Sequence, residues 1–317
     1  MAKKKQLNNN FVTISIVALL VIGGATLGGL YWNNRNNHNM NGMSMDGGQM
    51  SYAVNLMSGK SYKSGQPTAL HFEVKQDDKT FKDFAVDSTK LMHLIVVRND
   101  RSNFQHVHPT YDDKTGIFIM DSFQFPTDGQ YRVFANFATT DAKKDMMGMI
   151  ETEAPYVDVN VGDKTKVVAL PLGADSLTST ANGFTAMITT APGGNSPSTT
   201  TAPNFYAGQD GTVEVAITKN GTAFKNLQEY LGNLGHMVIL GPNLEFIHAH
   251  PILGDVNNQT GYIPFMVTFP TTGQYKLYLQ TQVNDMVSTF NFNLTVQEMP
   301  KSTRNDNSMQ GTNHMSH

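Results

Sequence analysis

Apolar and polar residues alternate in short runs along most of this chain. The first half reads YAVNLM, ALHFEV, LMHLIVV, IFIMDSF, QYRVFANF and YVDVNV. The second reads FTAMITT, TVEVAI, HMVIL, YIPFMVTF, QYKLYLQT and FNFNLTV. Val, Ile, Phe, Tyr and Thr dominate these runs, and Gly, Asn, Asp and Pro separate them, which is the pattern of half-buried strands joined by turns. One stretch, FKNLQEYLGNL (224–234), predicts a short helix instead. No long amphipathic helix pattern is present, so a parallel α/β sheet is not expected.

The runs repeat. LMHLIVVRNDRSNFQHVHP (91–109) is echoed by LGHMVILGPNLEFIHAHP (234–251), and FPTDGQYRVFANF (125–137) by FPTTGQYKLYLQT (269–281). Gly65 and Gly208 each precede the first histidine of their copy by 28 residues, and Phe81 and Phe224 by 12. A long-period repeat of this kind implies two copies of one folded unit, and 317 residues is enough for each copy to bury a core. The expected fold class is all-β: two tandem antiparallel β-sandwich domains, immunoglobulin-like or cupredoxin-like, after one N-terminal transmembrane helix. The expected boundaries are 1–32 for a membrane anchor or signal segment, 33–51 for a Met/Asn-rich stalk, 52–163 for the first repeat, 164–179 for a linker, 180–297 for the second repeat and 298–317 for a Met/His tail.

Six of the ten histidines lie in the repeated segment. A hairpin turn centred on Asp100 and Arg101 sets His93 opposite His108, and His106 shares the face of His108 because side chains alternate along a strand. In the second copy a turn centred on Asn243 sets His236 opposite His250, with His248 diagonal. Three neutral imidazoles converge in each copy, a donor set suited to Cu(II) or Zn(II). Ile95, Val97 and Phe104 share that face, as do Val238, Leu240 and Phe246, so each cluster is expected at the margin of an apolar core. Histidines on such a face also occur as hydrogen-bonded structural residues.

Methionine adds a weaker set of candidates. Met40, Met43, Met45 and Met50 stand near His38 in the stalk, and Met309, His314, Met315 and His317 in the tail; Met146, Met147 and Met149 share a loop. Thioethers favour Cu(I), and a polar segment gives methionine no core to fill. Cysteine is absent, which excludes disulfides, zinc-thiolate sites, thiol catalysis and a blue-copper centre. Asp112, Asp113 and Asp255 follow the HxHP arms without a spacing that marks a general base, and no phosphate loop, nucleophile elbow or HExxH is present.

Lys3, Lys4 and Lys5 precede 22 uncharged residues, 11–32, long enough to span a bilayer, with Tyr31 and Trp32 at its outer boundary. The expected placement is a single-pass protein in the cell membrane with its domains outside the cytoplasm, the alternative being secretion after signal cleavage. A net charge of −3 and a pI near 6.3 argue against nucleic acid as a partner.

The segments HLIVVRNDRSNFQHVHP and FPTDGQYRVFANF resemble YtkA-like and related small extracytoplasmic β-sandwich domains of bacteria, over most of residues 52–297. That resemblance implies an immunoglobulin-like fold on a surface-anchored protein, carried by His93, His106, His108 and Pro109 and by His236, His248, His250 and Pro251. The second copy departs in the turn, where GPNLE replaces RNDRSN, which puts equal affinity of the two sites in doubt. Together these readings predict a non-enzymatic transition-metal binder, with copper as the cofactor and zinc the alternative, serving sequestration or delivery beside a metal transporter or other surface protein. The other reading is a surface adhesion or interaction module with structural histidines.

Overall fold

In the computed structural model the described residues are 52–59, 61–144, 149–163, 172–189, 204–252 and 261–300. The anchor, the stalk candidates Met40, Met43 and Met45, the tail candidates His314, Met315 and His317, and Met146 and Met147 fall outside them. No helix long and apolar enough to cross a membrane occurs among the described residues.

The described chain is all-β. The first repeat comprises β1 (Tyr52–Leu56), β2 (Pro67–Gln76), β3 (Lys79–Thr80), β4 (Phe84–Ala85), β5 (His93–Arg98), β6 (Gln105–Val107), β7 (Thr110–Asp112), β8 (Ile117–Gln124), β9 (Gly129–Asn136), β10 (Ala138–Thr139) and β11 (Tyr156–Val161). The second comprises β12 (Thr178–Ala181), β13 (Phe184–Thr189), β14 (Phe205–Tyr206), β15 (Asp210–Lys219), β16 (Thr222–Ala223), β17 (His236–Leu240), β18 (Phe246–Ala249), β19 (Tyr262–Thr268), β20 (Gly273–Val283) and β21 (Met286–Gln297).

Each repeat packs two sheets face to face. In the first, β1-β2-β8-β7 faces β11-β9-β5-β6. In the second, β12-β13-β15-β19 faces β14-β21-β20-β17-β18. Leu70, Phe72 and Phe118 from one sheet and Leu94, Val96, Tyr131 and Val133 from the other form the first core. Val213, Val215 and Phe265 meet Met237, Ile239, Leu277 and Phe292 in the second.

The order of the first repeat follows the ABED and GFCC′ sheets of immunoglobulin-type sandwiches. A tyrosine corner supports that match in both copies. Tyr131 Oη donates to the Thr127 carbonyl at 2.9 Å, and Tyr275 Oη to the Thr271 carbonyl at 2.8 Å. Each tyrosine lies near the start of the strand that follows the crossover between sheets, where this bond locks the corner.

The short helix expected at 224–234 does not form. Leu227 is drawn into the second core, Gln228 bridges Gln282, and Tyr230 and Asn233 close a tight turn. Leu231 and Gly232 have φ of 54° and 79° in that turn, values no right-handed helix contains. Local helix propensity gave way to burial against the sheet.

Strands β5 and β17 differ from the rest. HLIVV and HMVIL are buried at every position, with no alternation. One face of each strand fills its own sandwich core. The other supplies Ile95 and Val97, or Val238 and Leu240, to a third apolar cluster completed by Phe134, Leu244 and Tyr278. This cluster joins the two repeats across their CC′FG sheets. Two aromatic stacks flank it: Phe104 lies on Tyr278 (centroids 4.2 Å, 8° between planes) and Phe246 on Phe134 (4.9 Å, 27°). Phe104 corresponds to Phe246 and Phe134 to Tyr278 in the repeat, so the contact is quasi-symmetric. Arg101 reinforces it from one side, donating to the Gly241 and Gln274 carbonyls at 3.4 and 2.5 Å, while Tyr278 Oη donates to the Arg101 carbonyl at 2.6 Å.

Candidate metal centre

The hairpins take the register expected from the sequence. Leu94 pairs with Val107 and Ile95 with His106, which places His93 opposite His108. Met237 pairs with Ala249 and Val238 with His248, which places His236 opposite His250. The turns differ, yet the paired positions coincide. In the first, the Asp100 carboxylate accepts from Arg98 and from the Ser102 hydroxyl and amide. In the second, Glu245 accepts from the Asn243 amide and the Gly241–Leu244 backbone closes a short turn.

The imidazoles therefore converge in triads. His93, His106 and His108 each offer a ring nitrogen within 4.8 Å of the others, and so do His236, His248 and His250. Centroids lie 4.7–5.2 Å apart in the first triad and 4.5–5.6 Å in the second. His93 and His236, at the strand starts, are each only 1% exposed.

The outer nitrogens decide where the protons sit. His93 Nε2 lies 3.1 Å from the Asp87 carbonyl, which can only accept, so Nε2 carries the proton. The bare Nδ1 then points at His106 Nε2 (3.0 Å) and His108 Nε2 (3.2 Å). His106 Nδ1 donates to Gln280 Oε1 at 2.7 Å, which leaves its own Nε2 bare. In the second triad His236 Nε2 donates to the Leu231 carbonyl (3.4 Å) and His248 Nδ1 to Asn136 Oδ1 (2.8 Å). Asn136 is oriented by its Nδ2, which donates to the Glu153 carbonyl at 3.1 Å. His236 Nδ1 and His248 Nε2 then face each other at 3.3 Å. Lone pairs aimed at one another repel unless a proton or cation lies between them. Histidines that ligate metals characteristically donate their far N–H to a carbonyl or amide oxygen, which fixes ring and tautomer.

Protonation is the less favourable remedy here. Burial depresses the basicity of every ring that shows a shift: His106 to about 3 and His108 to about 4, with neighbouring imidazoles adding to the effect. Burial likewise takes His236 to about 2 and puts His248 well below the ordinary value. His93 is lowered by burial too, against the opposing pull of Asp87. Neutral imidazoles near pH 7 are the form that ligates.

Two tight turns carry the supporting carbonyls. Asp87–Lys90 closes with reciprocal backbone bonds of 2.9 Å, and its central residues Ser88 and Thr89 have φ of 45° and 69°. The counterpart Tyr230–Asn233 has the same form around Leu231 and Gly232. A β-branched residue at positive φ is strained, and such strain gathers at functional sites. The turns approach each other, since a Cβ on Gly232 would lie 3.6 Å from Thr89 Cγ2.

Sequence reasoning found all six ring positions but not their supports: Asp87, Ser88, Asn136 and Gln280. A signal for two of these was present. Asn136 and Gln280 are polar residues at equivalent repeat positions, directly after the apolar runs VFA and LYL of β9 and β20. Asp112, noted for its place after the first HxHP arm, is engaged in its own turn with Thr115 and the Lys114 amide. A separate cleft of about 500 Å³ on the same interface, bordered by Arg98, Arg101, Lys276 and Tyr278, contains none of the six histidines.

Fold and site together define a class: tandem immunoglobulin-like sandwiches joined through sheets that each present a histidine triad able to hold a metal ion. The model of a family described as a domain of unknown function (DUF8832) matches residues 44–153 and 194–298, one segment in each repeat, and the chain belongs to that family. The likeness to YtkA-like domains rests on its sequence motifs alone. No curated protein matches. Among solved structures the chain is similar to the BSP domain of a biofilm associated protein (9% identity, 77% of this chain and 30% of that chain, TM-score 0.22). It is also similar to the D00-D0 domain of Intimin (13%, 78% and 100%, TM-score 0.20) and to FdeC, an Escherichia coli adhesin (13%, 79% and 66%, TM-score 0.22). The chain spans less than a third of the biofilm protein's length.

Proposed function

We propose that this protein binds a transition metal, copper, through its two histidine triads, and serves in sequestration or delivery outside the cytoplasm rather than in catalysis. One observation supports this reading above the rest: in both copies two of the rings donate their far N–H to fixed oxygen acceptors, so bare nitrogens are turned on one another in a buried setting. Zinc fits the same donor set, and copper is preferred because the stalk and tail supply methionine beside histidine, ligands that favour Cu(I). In this reading the sequence 11–32 anchors the protein in the cell membrane, and the Met/His segments collect the ion that the triads then hold. A metal transporter or another surface protein is the partner this role calls for.

The test is the metal content of the full-length chain, purified without a histidine tag, after separate exposure to Cu(I), Cu(II) and Zn(II). His106→Ala with His108→Ala should remove one tightly held ion, and His248→Ala with His250→Ala the other. A stoichiometry unchanged by either pair would remove the triads from consideration as the site.

A further inference from the structure

The two triads adjoin. His93 lies 6.2 Å from His236 and 5.5 Å from His248, centroid to centroid, and His106 lies 6.4 and 6.3 Å from the same two rings. Those separations scarcely exceed the 4.5–5.6 Å found within a triad. The six rings form one layer between the repeats, continuous with the apolar cluster of Ile95, Val97, Phe134, Val238, Leu240 and Tyr278.

The supports cross the interface in both directions. His106 of the first repeat donates to Gln280 of the second, and His248 of the second to Asn136 of the first. Gln280 and Asn136 are equivalent residues, paired in register with His236 and His93. Ser88 adds a third crossing, its hydroxyl 3.2 Å from His250 Nε2. Each triad therefore has one ring, His106 or His248, whose orientation is set by an amide of the other domain, while His93 and His236 are held by carbonyls of their own.

A buried acid lies beside this layer. Asp87 is 7% exposed, and its Oδ2 has no hydrogen-bond partner among the described residues. Its backbone carbonyl holds His93, and its Oδ1 accepts from Ser88, the residue that reaches His250. An orphaned buried carboxyl oxygen is costly unless positive charge stands near it.

From this geometry we infer that the six histidines build a single dinuclear centre, in which two like transition-metal ions sit as neighbours between the domains and fasten one to the other. The inference rests on the metal-binding reading above and extends it. It assigns Asn136 and Gln280 as positioning residues for the ion of the opposite repeat, and Asp87 as the acid that offsets the accumulated charge.

The test uses the full-length chain loaded with Cu(II) and examined by electron paramagnetic resonance alongside metal analysis. Two ions per chain with a spin-coupled spectrum, including a half-field transition, is the expected result. Two ions with independent mononuclear spectra, or one ion shared by both triads, would overturn the dinuclear centre and leave metal binding intact. No retained ion would overturn both. A second measurement follows the crossed supports. In a His106→Ala/His108→Ala background only the second-repeat ion remains. There Asn136→Ala should weaken it by roughly 10–100-fold, the usual cost of losing such a support. Asn136→Asp, which keeps an acceptor, should restore most of that affinity; equal weakening by both variants would reduce Asn136 to a packing role.

Discussion

The two repeats share register, triad and tyrosine corner but differ in how they close the shared face. The first turn is polar and reaches across: Asp100 ties Arg98 and Ser102, and Arg101, at φ 64°, places its guanidinium on carbonyls of the second repeat. The second turn is one residue shorter and turns inward, with Leu244 at φ 61° added to the interdomain cluster. The carbonyl behind the first ring is also held differently, at 3.1 Å from Asp87 in one copy and 3.4 Å from Leu231 in the other. What both copies keep is the strand pairing and the crossed amide supports. The turn can diverge because it only has to return the chain in register; His93, His106, His236 and His248 cannot, because each is oriented by a fixed partner.

The largest test of that comparison is acid. His106 and His236 have folded-state pKa values of about 3 and about 2, against roughly 6.5 for an unfolded imidazole. The unfolded chain then binds more protons below pH 6.5, so stability is insensitive to these groups above about pH 7 and falls as the pH drops toward 4. The loss continues until the pH passes below the folded values. These two groups alone remove about 5 kcal/mol between pH 6.5 and 4.5, as an order of magnitude. Asp87, which favours the charged form of His93, and Lys90, which opposes it in His93 and His108, modulate the first triad; the resolved shifts of His236 and His248 come from burial and the other imidazoles. Urea denaturation of the metal-free chain at stepped pH should show the fall, and a midpoint flat from pH 7 to 4.5 would contradict the buried-neutral account.

Next in size is the apolar interface. Phe134 is 2% exposed and stacked on Phe246, so Phe134→Ala should cost about 3–5 kcal/mol. Phe104, its stacking counterpart's equivalent on the other side, is only partly buried, and Phe104→Ala should cost visibly less. Thermal or urea unfolding separates the two, and equal costs would mean that the interface does not distinguish its halves. The smallest effect concerns what the repeats share. Tyr131→Phe and Tyr275→Phe each remove the hydroxyl that donates to the corner carbonyl and accepts from the amide of the same threonine, about 1–2 kcal/mol apiece. Similar losses from both would confirm that the corners act alike, and a loss confined to one would show that the copies depend on them unequally.

Much of this was legible in the sequence. The strands followed from alternation, and the convergence of His93, His106 and His108, and of their counterparts, followed from counting residues around the turns. The helix expected at 224–234 failed because Leu227 and Gln228 were claimed by the sheet, a contest that local propensity does not register. The meeting of the triads had a trace too. HLIVV and HMVIL are apolar at every position after the histidine, and a strand apolar on both faces needs cover on both.

The sequence by itself determined two like sandwiches and three imidazoles on one face of each, because both follow from a strand's period of two and the length of a turn, which are local quantities. Only the tertiary structure decided that the two faces press together, that Asn136 and Gln280 orient rings in the opposite domain, and that the carboxyl of Asp87 is left buried beside them. Those facts depend on how apolar surfaces of separate folded units exclude water from one another, and burial of that kind is a property of the assembled chain rather than of any segment within it.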